Sequence, residues 1–469
     1  MNGRAAFFAV FPSIALPIFI ALVDQSVITT AMPFVAAELG DVERITWPVT
    51  AYLIASAVTA PIYGRLGDMF GRKRLMAFGL VISTIGSLAC FMADTMTMLA
   101  LGRVVQGMGA GGLMALSSAL VGQAVGPRER GKYQAYIATV AVTANALGPV
   151  IGGYLTDHFG WRSIFLLNPI LVAAALILLS RLTLTNPPSS RKGIDLLGAL
   201  ILAICVTTFI TGIDTLRHGG SPQMGRLGWH VALLAVALGA LWWWERRTPT
   251  PLLPRQIFAN PSIRRSNLMA LCQGALVLGS LALLPVYFRV MLGISAAEIG
   301  TVMVPMAGAT AIGASITGRM VSMTGWTTLF PGVGLTMVTL MLGTFAALSP
   351  DLSATGLAIW FTCTTVWMGT VMPTVQIIVL AEGEPQDFGA VTSCTQLFRT
   401  LGAATGTAIV PVTILLTPGF GPDQLALFLT GEGGDTARAW PAFRNAFLVL
   451  AAISAVGAII AARVPRRSL

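Results

Sequence analysis

One carboxylate stands alone in the first apolar stretch of the chain: Asp24 is the only acidic residue before Glu38. An ionisable group at such depth is expensive to bury and is a functional candidate by default. Stripped of water, a carboxylate can exchange protons, and it can hold a cationic substrate. Arg103, inside a later apolar run, would favour the ionised carboxylate if both faced one cavity. The plainer readings are an Asp24 wetted near one membrane surface and an Arg103 whose long side chain snorkels to that surface. A third ionisable group, Arg399, lies about ten residues into a run that holds no acid. Substrate binding, neutralisation of a buried acid and lining of a wet cavity are all open to it. Gln25, Gln273, Tyr287, Trp367, Gln376 and Gln396 put polar or aromatic groups at similar depth. They are candidates to line a substrate cavity, although most such groups serve helix packing or interfacial anchoring.

Helices that cross a bilayer must position these groups, and the composition calls for them. Of 469 residues, 55% are hydrophobic and 10% charged, with a mean hydropathy of +0.79. A soluble domain would carry roughly 25% charged residues, so this surface suits lipid. About 20 apolar residues span the hydrocarbon core. Runs of that length predict fourteen helices, at residues 7–34, 47–66, 75–93, 97–122, 133–156, 161–183, 194–215, 228–245, 263–288, 295–317, 328–348, 355–380, 389–416 and 440–463. No connection between them is long enough to hold a soluble domain. The first stretch, from about Ala5 to Val35, is too long for the apolar core of a signal peptide and is expected to remain as a helix. The expected fold class is an all-α membrane protein.

Charge placement orients the helices. With the N-terminus in the cytoplasm, 20 Lys and Arg residues fall on the cytoplasmic side and 7 on the outer side, while Arg103 and Arg399 lie within helices. This is the positive-inside asymmetry, and it puts both termini in the cytoplasm. It also explains the net charge of +10 without nucleic acid as a partner. The five cysteines are scattered through apolar runs with no CxxC or Cys/His cluster, so neither a disulfide, a metal nor another cofactor is expected. Gly126–Lys132 matches most of a phosphate-binding loop, but Tyr133 stands where Ser or Thr would hold magnesium, and no strand precedes it. Without a nucleotide-binding domain, transport would draw on an ion gradient. GxSxG, HExxH and paired intramembrane carboxylates are lacking, so enzymatic activity is not expected.

Four strings are more specific. After the second span the chain reads Gly64-Arg65-Leu66-Gly67-Asp68-Met69-Phe70-Gly71-Arg72-Lys73-Arg74. Its glycines permit a tight turn, and Asp68 can pair with Arg72 or face the positive end of another helix. A weaker echo, Gly318-Arg319-Met320-Val321-Ser322-Met323-Thr324-Gly325, follows the tenth span and keeps Gly, Arg and the later Gly in register. Parallel repeats of this kind build many transporters. The first string closely resembles motif A of the major facilitator superfamily. It departs at Gly67, where Ala or Ser is usual, and at Met69, where a basic residue is usual. Arg103-Val104-Val105-Gln106-Gly107-Met108-Gly109 resembles motif B, and Gly148-Pro149-Val150-Ile151-Gly152-Gly153 resembles motif C, the antiporter signature. Asp24-Gln25-Ser26-Val27-Ile28-Thr29-Thr30-Ala31-Met32-Pro33 resembles the helix-1 motif of the fourteen-helix drug:proton antiporters, with Thr29-Thr30 in place of the commoner Asn-Val.

That resemblance implies the major facilitator fold. Two six-helix bundles, residues 1–185 and 261–469, would flank two inserted helices within 186–260. It implies a proton-coupled multidrug efflux antiporter that exports lipophilic, often cationic compounds by alternating access. Such a protein would sit as a monomer in a bacterial plasma (inner) membrane, with protons, a small lipophilic substrate and the lipid bilayer as its partners. Asp24 and Arg103 would couple protons. Gly64, Asp68, Gly71 and Arg72 would bias conformation, with Asp68 facing the start of the penultimate helix near Phe388–Val391. In motif C, which also includes Gly153, Gly148 and Gly152 form a close-packing GxxxG face, and Pro149 removes a backbone donor and can kink the helix. Export of lipid or another amphipathic metabolite is the alternative, and proton-coupled uptake fits motif C less well.

Overall fold

Glycine and proline punctuate a chain otherwise rich in helix-forming apolar residues, and the computed structural model follows that punctuation. It describes residues 3–39, 47–124, 130–181, 193, 195–217, 221–249, 251–253, 259–294, 296–348, 353–384, 387–418, 420 and 438–465. The helices are α1 (Gly3–Leu39), α2 (Trp47–Phe70), α3 (Arg72–Phe91), α4 (Met96–Ala110), α5 (Leu113–Ala124), α6 (Arg130–Phe159), α7 (Ile164–Ser180), α8 (Leu196–Arg217), α9 (Ser221–Arg247), α10 (Pro261–Leu292), α11 (Ala296–Thr324), α12 (Leu329–Leu348), α13 (Ala354–Gly369), α14 (Val371–Glu382), α15 (Phe388–Leu415) and α16 (Trp440–Ala462). A short 3₁₀ turn, Trp161–Ser163, precedes α7. There is no β-strand among the described residues. The fold is all-α.

Two predicted spans each consist of two helices: α4 and α5 meet at a turn over Gly111–Gly112, and α13 and α14 meet at Thr370. Counted this way, twelve spans are long and apolar enough to cross a bilayer. With 24 residues in α2 and 30 in α6, these two helices are also long enough to cross, giving fourteen among the described residues. Leu196, Trp229, Val236 and Ile170 are two-thirds exposed or more. Lipid solvates such side chains, whereas water would drive them inward.

The end of α2 differs from the sequence expectation. The second span was expected to end near residue 66, with the glycines of the Gly64–Arg74 string making a turn that contains Asp68. Instead the helix continues to Phe70, and Asp68 lies in its last turn. Gly67 costs the helix only about 1 kcal/mol and does not break it, so a single residue makes the turn. Gly71 has φ +101°, a value L side chains rarely adopt, and α3 starts at the next residue. The Gly71 N–H donates to the Gly67 carbonyl at 3.1 Å. In the echo, Gly325 has φ +73° and donates to Val321 at 2.8 Å, so the two strings share one local backbone device.

The chain divides into two compact units. The first contains Met1–Thr207, Ala235–Ile263 and Gln376–Leu397. Within it α1 packs on α6 and α7, while α3 and α2 both pack on α4. Asp195 caps α8 by accepting the Gly198 N–H at 2.7 Å, and it also accepts the Trp244 indole N–H of α9 at 2.8 Å. These bonds tie the start of one inserted helix to the end of the other. The second unit contains Thr208–Leu234, Arg264–Val375 and Phe398–Leu469. There α12 packs on α16 and α11 on α13. Its core is aromatic: Phe345 meets Phe361 edge-on at 4.9 Å, and Phe361 stacks on Phe447 at 5.5 Å.

Candidate functional site

The half-buried Asp24 side chain on α1 is the acceptor of a polar cluster drawn from four other helices of the first unit. Arg103 and Gln106 are three apart on α4 and therefore share a face. The Arg103 Nη1 donates to Gln106 Oε1 at 2.7 Å, which fixes the orientation of that amide. Gln106 Nε2 then donates to Asp24 Oδ2 at 3.0 Å and to Ser87 Oγ at 3.3 Å. Asn168 Nδ2 of α7 donates to the same Asp24 Oδ2, and to Ser83 Oγ at 3.1 Å.

Backbone chemistry completes the cluster. Pro169 has no N–H, so the carbonyl of Phe165, four residues earlier, has no partner within the helix. Ser87 Oγ of α3 donates to it at 2.7 Å. From α2, the Tyr52 ring lies 4.1 Å from the Arg103 guanidinium carbon, and the Tyr52 hydroxyl donates to the Ala21 carbonyl at 2.9 Å.

Arg103 is 1% exposed and does not bond the Asp24 carboxylate. Its Nη1 donates to the Asp24 backbone carbonyl and its Nε to that of Pro48, both at 3.4 Å. Its Nη2 is buried with no hydrogen-bond partner. Asp24 and Arg103 both line a narrow crevice with Val23, Val27, Ile28, Ile164, Phe165 and Leu167. The structure thus brings the two sequence candidates together through Gln106. That glutamine lies in the motif B string but had no role assigned, while Asn168, Ser83, Ser87 and Tyr52 were missed. A signal for Asn168 existed, since it is the only polar side chain between Ser163 and Ser180.

Motif A builds a second buried cluster in the same unit. A Cβ on Gly64 would overlap the Gly389 carbonyl and the Ser393 hydroxyl, so only glycine allows α2 this close to the first turn of α15. Asp68 consequently accepts the backbone N–H of Gly389 at 3.0 Å and of Ala390 at 2.9 Å. The Arg72 guanidinium reaches Asp68 at 2.7 Å and bonds the Ala119 carbonyl at 3.3 Å and Gln123 at 3.1 Å. Arg65 pairs with Asp387 at 3.7 Å, and both side chains are buried.

In motif C, Gly148 and Gly152 are buried on α6. A Cβ on Gly148 would strike Ser26 Oγ of α1, whereas one on Gly153 would meet nothing within 4 Å. The side chain of Pro149 lies outside the described residues. Gly148→Val is expected to destabilise the protein by about 1–3 kcal/mol through overpacking, and Gly153→Ala to leave it unchanged. Thermal unfolding in detergent measures both, and equal melting of the two variants would contradict the packing described.

The remaining candidates are dispersed. Gln25 is half-buried beside Asp24 on α1. Gln376 and Gln396 lie in the first unit, and Gln273, Tyr287, Trp367 and Arg399 in the second. Gln273 and Gln376 each hold a buried side-chain carbonyl without a hydrogen-bond partner. Tyr287 is packed among Phe345, Phe361, Phe443 and Phe447, and Trp367 is half-buried.

The sequence profile of the Major Facilitator Superfamily matches residues 14–407. The chain belongs to the major facilitator superfamily. Among its relatives in this superfamily is an uncharacterised MFS-type transporter of Mycobacterium tuberculosis, 31% identical over 407 residues. That match covers 85% of this chain and 58% of the relative, so the chain spans a little over half the relative's length. The multidrug transporter protein MdtP of Bacillus subtilis is 28% identical over 397 residues, covering 83% of this chain and 72% of MdtP. In fold, the human organic anion transporter MFSD10 superimposes with a TM-score of 0.69 at 14% identity, over 98% of this chain and 100% of that one. Superfamily membership makes the chain a multi-pass membrane protein of a transporter family.

Proposed function

We propose that this member of the superfamily is a proton-coupled efflux antiporter of the fourteen-helix drug:proton type, exporting lipophilic and often cationic compounds. The observation that carries the reading is the Asp24 cluster: a lone carboxylate in a membrane helix, held by two amides with a buried arginine beside it. Such a carboxylate can alternate between a proton and a cationic substrate, or release its proton when substrate binds. The name of the B. subtilis relative, a multidrug transporter, supports the same class.

In this reading the ends that carry motif A face the cytoplasm of a bacterial cell, as the Lys and Arg distribution favours. Residues 1–185 and 261–469 act as bundles in alternating access, with 186–260 inserted between them. Asp68, bonded to the first N–H groups of α15, is a conformational latch, and the motif C glycines set helix packing. Gln25, Gln273, Tyr287, Trp367, Gln376, Gln396 and Arg399 are the pool from which a substrate path would be drawn. The working unit is a monomer in the lipid bilayer.

The test is ethidium efflux from preloaded cells of a bacterium stripped of its own pumps. Expression of the protein is expected to speed efflux, and a protonophore to stop it. Efflux that continues after the proton gradient collapses would contradict proton coupling. Failure with ethidium and with other lipophilic cations would favour export of lipid or another amphiphile.

A further inference from the structure

The two amides that hold Asp24 converge on one of its two oxygens. Gln106 Nε2 and Asn168 Nδ2 both donate to Oδ2. Neither amide is free to turn away. Gln106 is fixed by Arg103 at its carbonyl end and by Ser87 at its N–H₂ end. Asn168, 1% exposed, also donates to Ser83 Oγ and lies within 3.5 Å of the Thr84 hydroxyl, which donates to its carbonyl. Oδ1 has no hydrogen-bond partner among the described residues, yet it is not among the sealed polar atoms that lack one. It is therefore the oxygen left open. The crevice that Asp24 and Arg103 line has room for about one water molecule.

We propose that Asn168 is a positioning residue for proton exchange: together with Gln106 it keeps Oδ2 as a hydrogen-bond acceptor and leaves Oδ1 as the oxygen that takes and releases the proton. The inference rests on the reading of Asp24 as the proton carrier. When Oδ1 is protonated, Oδ2 becomes the carbonyl oxygen and still accepts both amide N–H groups, so the cluster survives both states without rearranging. When the proton leaves, the same two donors face a full charge and bind it more strongly. Amide donors cannot themselves carry the proton away, so exchange must use the open oxygen.

The groups that act electrostatically on Asp24 are few. Arg103 comes from α4, Tyr52 from α2 and Cys90 from α3. Among the described residues, α5, α6 and α7 add no charged group to this set. A change at Asn168 thus alters one donor and leaves the surrounding charges in place.

Infrared difference spectroscopy on the purified full-length protein in lipid, titrated between acid and alkaline pH, tests this directly. Wild type is expected to show a protonated-carboxyl C=O band that Asp24→Asn removes. In Asn168→Leu the band is expected to move to higher frequency, because the carbonyl loses one of two donors. The pH at which the band disappears is expected to rise by about one unit, the size of one charge-assisted hydrogen bond. Asn168→Ser, which retains a short donor, is expected to lie between the two. A band that Asp24→Asn removes but Asn168→Leu leaves at the same frequency and pH would overturn the inference while keeping Asp24 as carrier. A spectrum in which Asp24→Asn removes no band would instead overturn the carrier reading on which it rests. A merely structural Asn168 would lower thermal stability in both Leu and Ser variants with no movement of the band.

Discussion

Asp24→Asn is expected to abolish the accumulation of a lipophilic cation driven by a pH gradient, down to the level of vesicles that lack the protein. Asparagine keeps the shape of the side chain and one acceptor for the amides of Gln106 and Asn168, so the helices around it should assemble as before. What it removes is the charge and the titrating proton. Arg103, 1% exposed, then loses its nearest anion. The two are not directly ion-paired, because Gln106 stands between them, so the loss of stability should stay near 1–3 kcal/mol, the range for an unmatched buried polar group. Uptake of tetraphenylphosphonium into everted vesicles, set beside a melting curve of the purified variant, separates the two effects. Normal accumulation by a well-folded Asp24→Asn would remove Asp24 from the mechanism.

The second large effect is on stability. Asp68→Ala takes away the shared acceptor of the Arg72 guanidinium and of the first N–H groups of α15. Arg72 is 3% exposed and would remain as a buried cation, still bonded to the Ala119 carbonyl and Gln123 but with its Asp68 partner removed. Breaking a buried pair from one side costs about 3–5 kcal/mol. Asp68→Asn, which keeps an acceptor for a backbone N–H, should cost less than Asp68→Ala. Chemical or thermal unfolding in detergent reads the difference. Wild-type stability in Asp68→Ala would mean that the contact with Gly389 and Ala390 contributes nothing.

Much of this was legible in the sequence, for reasons particular to membrane chains. Apolar runs of fixed length report spans directly, because backbone groups in lipid must be satisfied within a helix. The lone acid ahead of Glu38 in the first apolar run and the arginine in α4 stood out because charge is so rare in these helices. The resemblance of the Gly64–Arg74 string to motif A located Asp68 before its partners were visible. Less legible was everything that depends on which side chains meet across helices. Gln106 reads as one polar residue in a motif string, and nothing in its spacing shows that it relays Arg103 to Asp24. Ser83 and Ser87 look like ordinary small packing residues, yet one braces Asn168 and the other takes the carbonyl that Pro169 frees. The end of α2 was misjudged because three glycines in eight residues suggest a loop. Gly64 and Gly67 instead sit inside the helix, Gly64 facing α15, and only Gly71 turns the chain. Asp195 and Trp244, far apart in sequence, meet only because the inserted helices pair.

The most direct test of the account is proton movement itself, read with a pH dye trapped inside acid-loaded proteoliposomes to which tetraphenylphosphonium is added. Wild type is expected to make the lumen more alkaline as substrate enters and protons leave, and Asp24→Asn to give no response. Proton movement of equal size in both proteins would contradict the claim that Asp24 couples protons to transport.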